Sequence, residues 1–282
     1  MLVPVQTSGT RAPLFFVHGV GGVMPLGSSF KRALGSDQPL YAIHANGIDG
    51  KQPALDDVRQ MVLAYVEEIR SVRPAGPIRI GGMCAGCLIA MEVASRVQQE
   101  HRVTGPVILM DPPPAPYGYQ NRRVAWDFGN PKVAELLYQH ARRELIKRAS
   151  RGDNDMPFDT HDPKQMHVAT LVAVRTVSAF SRHIPSPFPR PAELIISAER
   201  AAQFFHPQMP WQKLLPGPRV VHVLPRQHWE LFREGRESVC QLLKFMLSEA
   251  SAPEGDPKRP QDFAIGITDA SGSSAPTERP IV

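Results

Sequence analysis

Three cysteines in 282 residues are too few for a disulfide framework, and Cys84 and Cys87 share one short segment while Cys240 lies far from both. They also lack the paired spacing of a zinc site, so free thiols and no bound metal are expected. No apolar run approaches the roughly 18 residues that a membrane span requires, which argues against a transmembrane helix. Residues 1–11 show no basic start followed by an apolar stretch, so no secretory leader is visible and a cytoplasmic location is expected. The 32 basic residues against 27 acidic ones give a net charge of +5, but they form no long block with interleaved aromatics. Nucleic-acid binding therefore has little support. No internal repeat is present.

What the chain does contain is an ordinary globular composition, 42% hydrophobic and 21% charged, in a length that suits one large α/β domain. The run Leu14-Phe15-Phe16-Val17-His18 stops at Gly19, Gly21 and Gly22, as a buried strand entering a loop does. Leu40-Tyr41-Ala42-Ile43 reads as a second strand, and Val58, Met61, Val62, Tyr65, Val66 and Ile69 then fall at helical spacing. Ile78-Arg79-Ile80 runs into Gly81-Gly82-Met83-Cys84-Ala85-Gly86, after which Leu88, Ile89, Met91 and Val97 keep helical order. Val107-Ile108-Leu109-Met110 is the next strand, ending at Asp111 and three prolines that cannot continue it. Strand and helix in alternation predict a mostly parallel sheet flanked by helices.

Residues 1–116 thus form the first part of the α/β core. Residues 117–186 break the alternation and read as a helical lid insertion, one stretch holding Val133, Leu136, Leu137, Leu145 and Ile146. A second stretch starts at Asp162-Pro163, a cap and first-turn pair, and continues through Val168, Leu171 and Val174. Residues 187–249 resume the core with strands at 194–196 and 220–224 and a closing helix at 238–247. Residues 250–282 are rich in Pro, Ser, Gly and charge, interrupted only by Phe263, Ile265 and Ile267, and are expected to be a disordered tail.

Gly82-Met83-Cys84-Ala85-Gly86 has the form of a nucleophile elbow with cysteine in the place serine usually takes. A strand-to-helix turn this sharp needs residues without bulk on either side, and it sets the sulfur at a helix N-terminus, where the dipole favours the thiolate. Such a nucleophile needs an acid and a base, which the α/β-hydrolase fold supplies in the chain order nucleophile, acid, base. Asp111 ends the strand after the elbow helix, and Glu199 follows the next one; Asp111 is preferred as the acid, with a capping role as its alternative. His228, in Arg226-Gln227-His228-Trp229 after the last strand, is the expected base. His18 is expected to shape the glycine loop, His222 to pack within a strand, and His101 and His167 to lie on helices. The amides of Val20 and Ala85 stand where this geometry places two oxyanion donors.

In order and spacing these segments resemble the thioesterase domains of nonribosomal peptide and polyketide synthases, over about residues 12–248. The resemblance implies an α/β-hydrolase fold with the lid shaping an acyl pocket. It also implies a substrate that arrives as a thioester on the phosphopantetheine arm of an acyl or peptidyl carrier protein, with no cofactor of the enzyme's own. It carries the acid role onto Asp111, as in integrated members, whereas discrete editing members place the acid near Glu199. Cysteine at position 84 departs from the usual serine; a cysteinyl acyl-enzyme retains the energy of the incoming thioester, so cyclisation or transfer is as open as hydrolysis. An aminoacyl shuttle between carrier proteins is one alternative. A dienelactone-hydrolase-like enzyme is a second, against which the long insertion argues, and a catalytically silent binding protein is a third. No carrier segment precedes residue 12, so action in trans or excision from a synthase is expected. Arg122, Arg123, Arg142, Arg143, Lys147 and Arg148 suit either an acidic carrier protein or a solvated helix face.

Overall fold

The computed structural model describes residues 1–100, 102–113, 130–150, 158–204, 210–249 and 264–266. The first half runs β1 (Leu2–Gln6), β2 (Leu14–Val17), α1 (Ser28–Leu34), β3 (Leu40–Ile43), α2 (Val58–Val72), β4 (Arg79–Met83), α3 (Gly86–Gln98) and β5 (Val107–Met110). Helices α4 (Pro131–Ser150) and α5 (Pro163–Arg182) follow. The chain then continues through β6 (Ala192–Ser197), α6 (Ala198–Phe204), α7 (Trp211–Leu214), β7 (Arg219–Leu224), a single 3₁₀ turn (His228–Glu230), α8 (Arg236–Glu249) and β8 (Ala264–Gly266).

The strands form one sheet in the order β1-β3-β2-β4-β5-β6-β7-β8, parallel throughout except for the antiparallel β1–β3 pair at one edge. This is the mostly parallel sheet expected from the alternating elements, in the α/β-hydrolase architecture that the resemblance implied. The central strands are covered on both faces, so they read as continuous apolar runs rather than alternating ones: Leu14, Phe15, Phe16 and Val17 are all fully buried. Successive side chains divide between two cores. Phe15 and Val17 join α2 and α3 on one face, and Phe16 joins Phe30 of α1 and Leu243 of α8 on the other.

The helices follow from their caps and stripes. Asp57 accepts the Gln60 N–H at 3.1 Å to start α2, whose Met61, Val62, Tyr65, Val66 and Ile69 form the buried face. Asp162 accepts the Lys164 N–H at 2.8 Å ahead of Pro163, as the sequence predicts for the start of α5. Helix α3 is buried on nearly every side, from Gly86 to Val97. Between β5 and β6, α4 and α5 pack against each other, and α5 also meets the core through Ala179 and Phe180. Leu136 and Ile146 of α4, read as part of an apolar stripe, are instead exposed, at 70% and 41%. A separate apolar cluster joins Leu145, Phe158, Met166, Ala169 and Val172 to Val23, Ala45 and Ile48, so the inserted helices rest on the glycine loop after β2.

Five elements go beyond the sequence reading. Strands β1 and β8 and helices α1, α6 and α7 were not expected, and β8 lies within the segment 250–282 that the composition assigns to a disordered tail. There Ala264, Ile265 and Gly266 pair in parallel with Val221, His222 and Val223 of β7, while the rest of that segment lies outside the described residues. His101, Arg122 and Arg123 also lie outside them, as does the side chain of Arg148. Among the described residues, no helix is long and apolar enough to cross a membrane.

Candidate active site

In a parallel sheet the carboxyl ends of the strands share one edge, and ligands bind there. Here that edge collects Val17, Met83, Met110, Ser197 and Leu224, the last residues of five neighbouring strands. Each expected site residue lies just past one of these ends.

Cys84 follows β4 with φ at +52°, a left-handed conformation that costs a non-glycine residue of order 1–3 kcal/mol and persists only where its surroundings enforce it. Its N–H donates to the Met110 carbonyl at 2.8 Å, and its own carbonyl accepts the Cys87 N–H at 3.1 Å, which together pin the turn. The flanking glycines are there for space. A Cβ on Gly86 would come within 2.0 Å of the His18 carbonyl oxygen, and one on Gly82 within 2.4 Å of the Gly86 carbonyl oxygen. The chain therefore passes from strand to helix through a gap that only a backbone without side chains fits.

Asp111, also left-handed at φ +48°, is fully buried at the end of β5. Its Oδ1 accepts the Ser197 N–H at 2.7 Å, and its Oδ2 accepts the Ser197 hydroxyl at 3.1 Å and the Nδ1–H of His228 at 2.5 Å. A carboxylate held this way orients an imidazole; the alternative of a helix cap is not what the hydrogen bonds form. With Nδ1 engaged by Asp111, the other ring nitrogen is the one left for Cys84, whose charge and that of His228 stabilise each other. Glu199, the competing acid, reaches His228 only through the backbone: its Oε2 accepts the His228 N–H at 3.0 Å.

The electrostatics are those of an ion pair. Burial alone would push the Cys84 thiol up, but the imidazolium of His228 and the guanidinium of Arg200 outweigh it and bring the thiol down to about 6. Burial likewise opposes charge on His228, yet the Cys84 thiolate and the Asp111 hydrogen bond raise it to about 9. Between those values cysteine is anionic and histidine cationic. Cys87, at the start of α3, is pushed well up by burial, and its thiol hydrogen-bonds to the Gly82 carbonyl at 3.2 Å, so it is a packing residue.

The glycine loop lies against the elbow, since a Cβ on Gly19 would stand 3.3 Å from the Cys84 Cβ. His18 is fully buried, and its Nδ1 lies 2.7 Å from the Gly19 carbonyl oxygen and its Nε2 2.7 Å from the Tyr65 hydroxyl. A carbonyl only accepts, so Nδ1 carries the hydrogen and Tyr65 donates to Nε2. Burial pushes His18 down to about 4, which keeps it neutral in this role. Because a trans peptide points its C=O and N–H in opposite directions, fixing the Gly19 carbonyl on His18 turns the Val20 N–H away from that ring. Ala85 is buried at the first position of the turn into α3, beside the sulfur-bearing residue.

The sequence reading missed two contributors. Ser197 supplies two of the Asp111 hydrogen bonds, and Arg200, at the start of α6, places Nη1 2.6 Å from the Asp111 carbonyl oxygen and 3.8 Å from the Cys84 sulfur. The available signal was their position directly after a strand at the ligand-binding edge, where the charged pair Glu199-Arg200 was read for its acid alone. On α4, Arg142 and Arg143 are exposed, and Lys147 pairs with Glu144 at 2.7 Å.

Comparison with known proteins places the chain in a family. The chain is 34% identical over 113 residues to malpinin synthetase of Mortierella alpina, an alignment covering 40% of this chain and 2% of that protein. It is 29% identical over 111 residues to a dimodular nonribosomal peptide synthase of Bacillus subtilis, covering 39% of this chain and 5% of that one. The chain thus spans a small fraction of the length of these relatives. Among solved structures, the Vlm2 thioesterase domain bound with a dodecadepsipeptide superposes with a TM-score of 0.65 at 20% identity, covering 86% of this chain and 97% of that one. The thioesterase domain family model matches residues 12–246, and the chain belongs to that family.

Proposed function

We propose that this protein takes an acyl or peptidyl group from the phosphopantetheine thioester of a carrier protein onto Cys84 and releases it by cyclisation, transfer or hydrolysis in natural-product biosynthesis. The observation that carries the proposal is the 2.5 Å contact between His228 Nδ1 and Asp111 Oδ2, with Cys84 presented on a left-handed turn beside the same imidazole. Membership of the thioesterase domain family, and relatives that are nonribosomal peptide synthetases, support the substrate class and the carrier-protein partner.

The steps follow from the charges. The Cys84 thiolate attacks the thioester carbonyl carbon, and the resulting oxyanion is received by the Val20 and Ala85 amides. Collapse breaks the bond to the phosphopantetheine sulfur, which leaves with the proton of the His228 imidazolium. His228, now neutral, then takes a proton from the acceptor as that group attacks acyl-Cys84, and the Cys84 thiolate departs. Asp111 holds the imidazole in one tautomer and stabilises its charged form throughout. No step consumes a cofactor.

The test is intact mass after mixing with acyl-loaded carrier proteins. An adduct equal to the acyl group, absent in Cys84→Ala and discharged on adding an acceptor, is the expected result. An adduct that persists in Cys84→Ala, or none from any acyl carrier, would reject the proposal.

A further inference from the structure

We infer that Arg200 is a catalytic residue of this site, its guanidinium stabilising the Cys84 sulfur both as attacking thiolate and as leaving thiolate. This rests on the reading of Cys84 as the residue that carries the acyl group, and it concerns what makes that acyl group mobile.

The position of Arg200 is specified from one side and reaches toward the sulfur from the other. The strand β6 ends at Ser197, which is bound to Asp111, and α6 begins at the next residue, so Arg200 projects over the carboxyl edge of the sheet. Its Nη1 donates to the Asp111 carbonyl oxygen at 2.6 Å, its Nε lies 3.6 Å from Asp111 Oδ2, and its side chain is 15% exposed. That anchoring leaves Nη1 3.8 Å from the Cys84 sulfur, within range of an N–H···S hydrogen bond.

A purely structural role, neutralising buried Asp111, fits these contacts less well. The Asp111 carboxylate already accepts from the Ser197 N–H, the Ser197 hydroxyl and the His228 imidazole, while Arg200 gives its short hydrogen bond to the backbone oxygen and meets the carboxylate at 3.6 Å. With the thiolate–imidazolium pair formed, the site holds two anions, Cys84 and Asp111, and two cations, His228 and Arg200. Cys84 meets these groups from separate elements: His228 from the turn after β7, Arg200 from α6 and Asp111 from β5, with Cys87 behind it on α3. His18, in the glycine loop, has both ring nitrogens occupied and stays neutral.

The consequence lies in the second half-reaction. A thiol leaves a thioester more readily as its basicity falls, and an acyl group at equilibrium favours the more basic of two thiols. A phosphopantetheine thiol of ordinary basicity, comparable to a free cysteine at about 8.5, is therefore the more stable home for the acyl group. Loading Cys84 is then mildly uphill and reversible, and discharge onto an acceptor is downhill. Arg200 makes the acyl-enzyme a transit state that passes its cargo on, because it stabilises the sulfur as the bond to the acyl carbon breaks.

Removing the guanidinium has opposite effects on the two halves. Less thiolate forms, so loading near neutral pH slows; the thiol becomes more basic, so the acyl-enzyme persists longer and exchanges more slowly with free thiols. Lost packing alone would not produce that combination.

The test compares wild type with Arg200→Gln and Arg200→Lys, each checked for native melting. The rate of Cys84 alkylation by iodoacetamide is followed against pH, with mass spectrometry locating the label; all three cysteines are buried, but Cys87 and Cys240 have raised thiols and should stay unlabelled. In Arg200→Gln the inflection should move up by about one to three pH units, the usual effect of losing an opposite charge within this distance. At pH 6 its alkylation should fall at least about fivefold, the loss of thiolate when the inflection moves up from about 6 by one unit. Arg200→Lys, which keeps the charge, should recover part of the shift. Acyl-enzyme loaded from an acyl thioester should outlast the wild-type adduct in Arg200→Gln. Arg200→Met carries the same predictions should Arg200→Gln fail to fold. An inflection unchanged in a folded variant without the charge, or no recovery with lysine, overturns the inference. Alkylation needs no acyl substrate, so a wild-type protein that no thioester loads would reject the proposed function and leave the role of Arg200 in forming the thiolate standing.

Discussion

Glu199 Oε2 accepts the backbone N–H of His228 at 3.0 Å, while the His228 ring points its Nδ1 to Asp111 at 2.5 Å. Two carboxylates converge on one histidine, one fixing its loop and the other its imidazole. Asp111 is fully buried with Ser197 completing its hydrogen bonds, so only its negative charge is locked against the ring.

Asp111→Asn and Glu199→Gln should accordingly separate. Loss of an orienting acid in a catalytic triad can lower turnover about 10⁴-fold, because the amide favours the wrong imidazole tautomer. Glutamine at 199 still accepts the His228 N–H, and the loss there should stay below about tenfold. Steady-state rates of both variants on an acyl-thioester substrate check this; a severe loss confined to Glu199→Gln would transfer the acid role.

The pH profile follows from the signs of the two shifts. Cys84 is lowered to about 6, so nucleophilic thiolate appears as pH rises through that value. His228 is raised to about 9, so the imidazolium that protonates the leaving sulfur is lost above it. Single-turnover acylation should be bell-shaped between these limits, which belong to the coupled pair rather than to either residue. In Cys84→Ser the rising limb should instead report His228, because a hydroxyl needs the neutral imidazole as its base, and the descending limb near 9, which the thiolate creates, should be lost.

Cys84→Ser should also change the products. A serine ester keeps less of the incoming thioester's energy, so discharge to an amine or a carrier thiol weakens relative to discharge to water. The ratio of free acid to transferred or cyclised product, measured with carrier and acceptor present, should rise in the variant. Native enzyme that yields mainly free acid regardless of acceptor would make this protein a simple hydrolase.

Gly86→Ala tests the elbow. Alanine ordinarily improves a helix by up to about 1 kcal/mol over glycine, but here its Cβ would meet the His18 carbonyl oxygen at 2.0 Å. Backbone atoms on both sides cannot yield cheaply, and overpacking of this kind typically costs about 1–3 kcal/mol. Denaturant unfolding should show net destabilisation, and acylation should fall with the misplaced sulfur.

The helices between β5 and β6 rest on the glycine loop through Val172, Val23 and Ile48, and a Cβ on Gly22 would lie 3.4 Å from the Val172 Cγ1. Val172→Ala should destabilise the fold by about 1.5–3 kcal/mol, as loss of two buried methyl groups with the cavity they leave does. It should slow acylation more than it slows alkylation of the free thiol, since the loop carries Val20 but not Cys84. Equal losses in both rates would place its effect on the elbow instead.

Much of this protein was legible along the chain, because parallel strands buried on both faces must be continuous apolar runs and amphipathic helices must repeat every three to four residues. Leu14-Phe15-Phe16-Val17, the stripe from Val58 to Ile69, and the cap at Asp162-Pro163 each carry such a local signature, and Gly82-Met83-Cys84-Ala85-Gly86 carries the elbow. Edge strands carry weaker ones: β1 has only a short alternation, and the three residues of β8 become a strand only because β7 offers an unpaired edge. What separates Asp111 from Glu199 lay outside any local pattern, since both follow strands at the same sheet edge and only the fold sets one against the His228 ring and the other against its backbone. Arg200 and Ser197 are further still from sequence logic. A hydrogen bond from Ser197 to a carboxylate 86 positions earlier, and a guanidinium beside a sulfur 116 positions earlier, exist because the sheet register sets the ends of β4, β5 and β6 side by side. Local chemistry determined which elements form and where Cys84 stands on its turn; the lateral order of the strands, a consequence of packing the whole chain, decided which charges surround it.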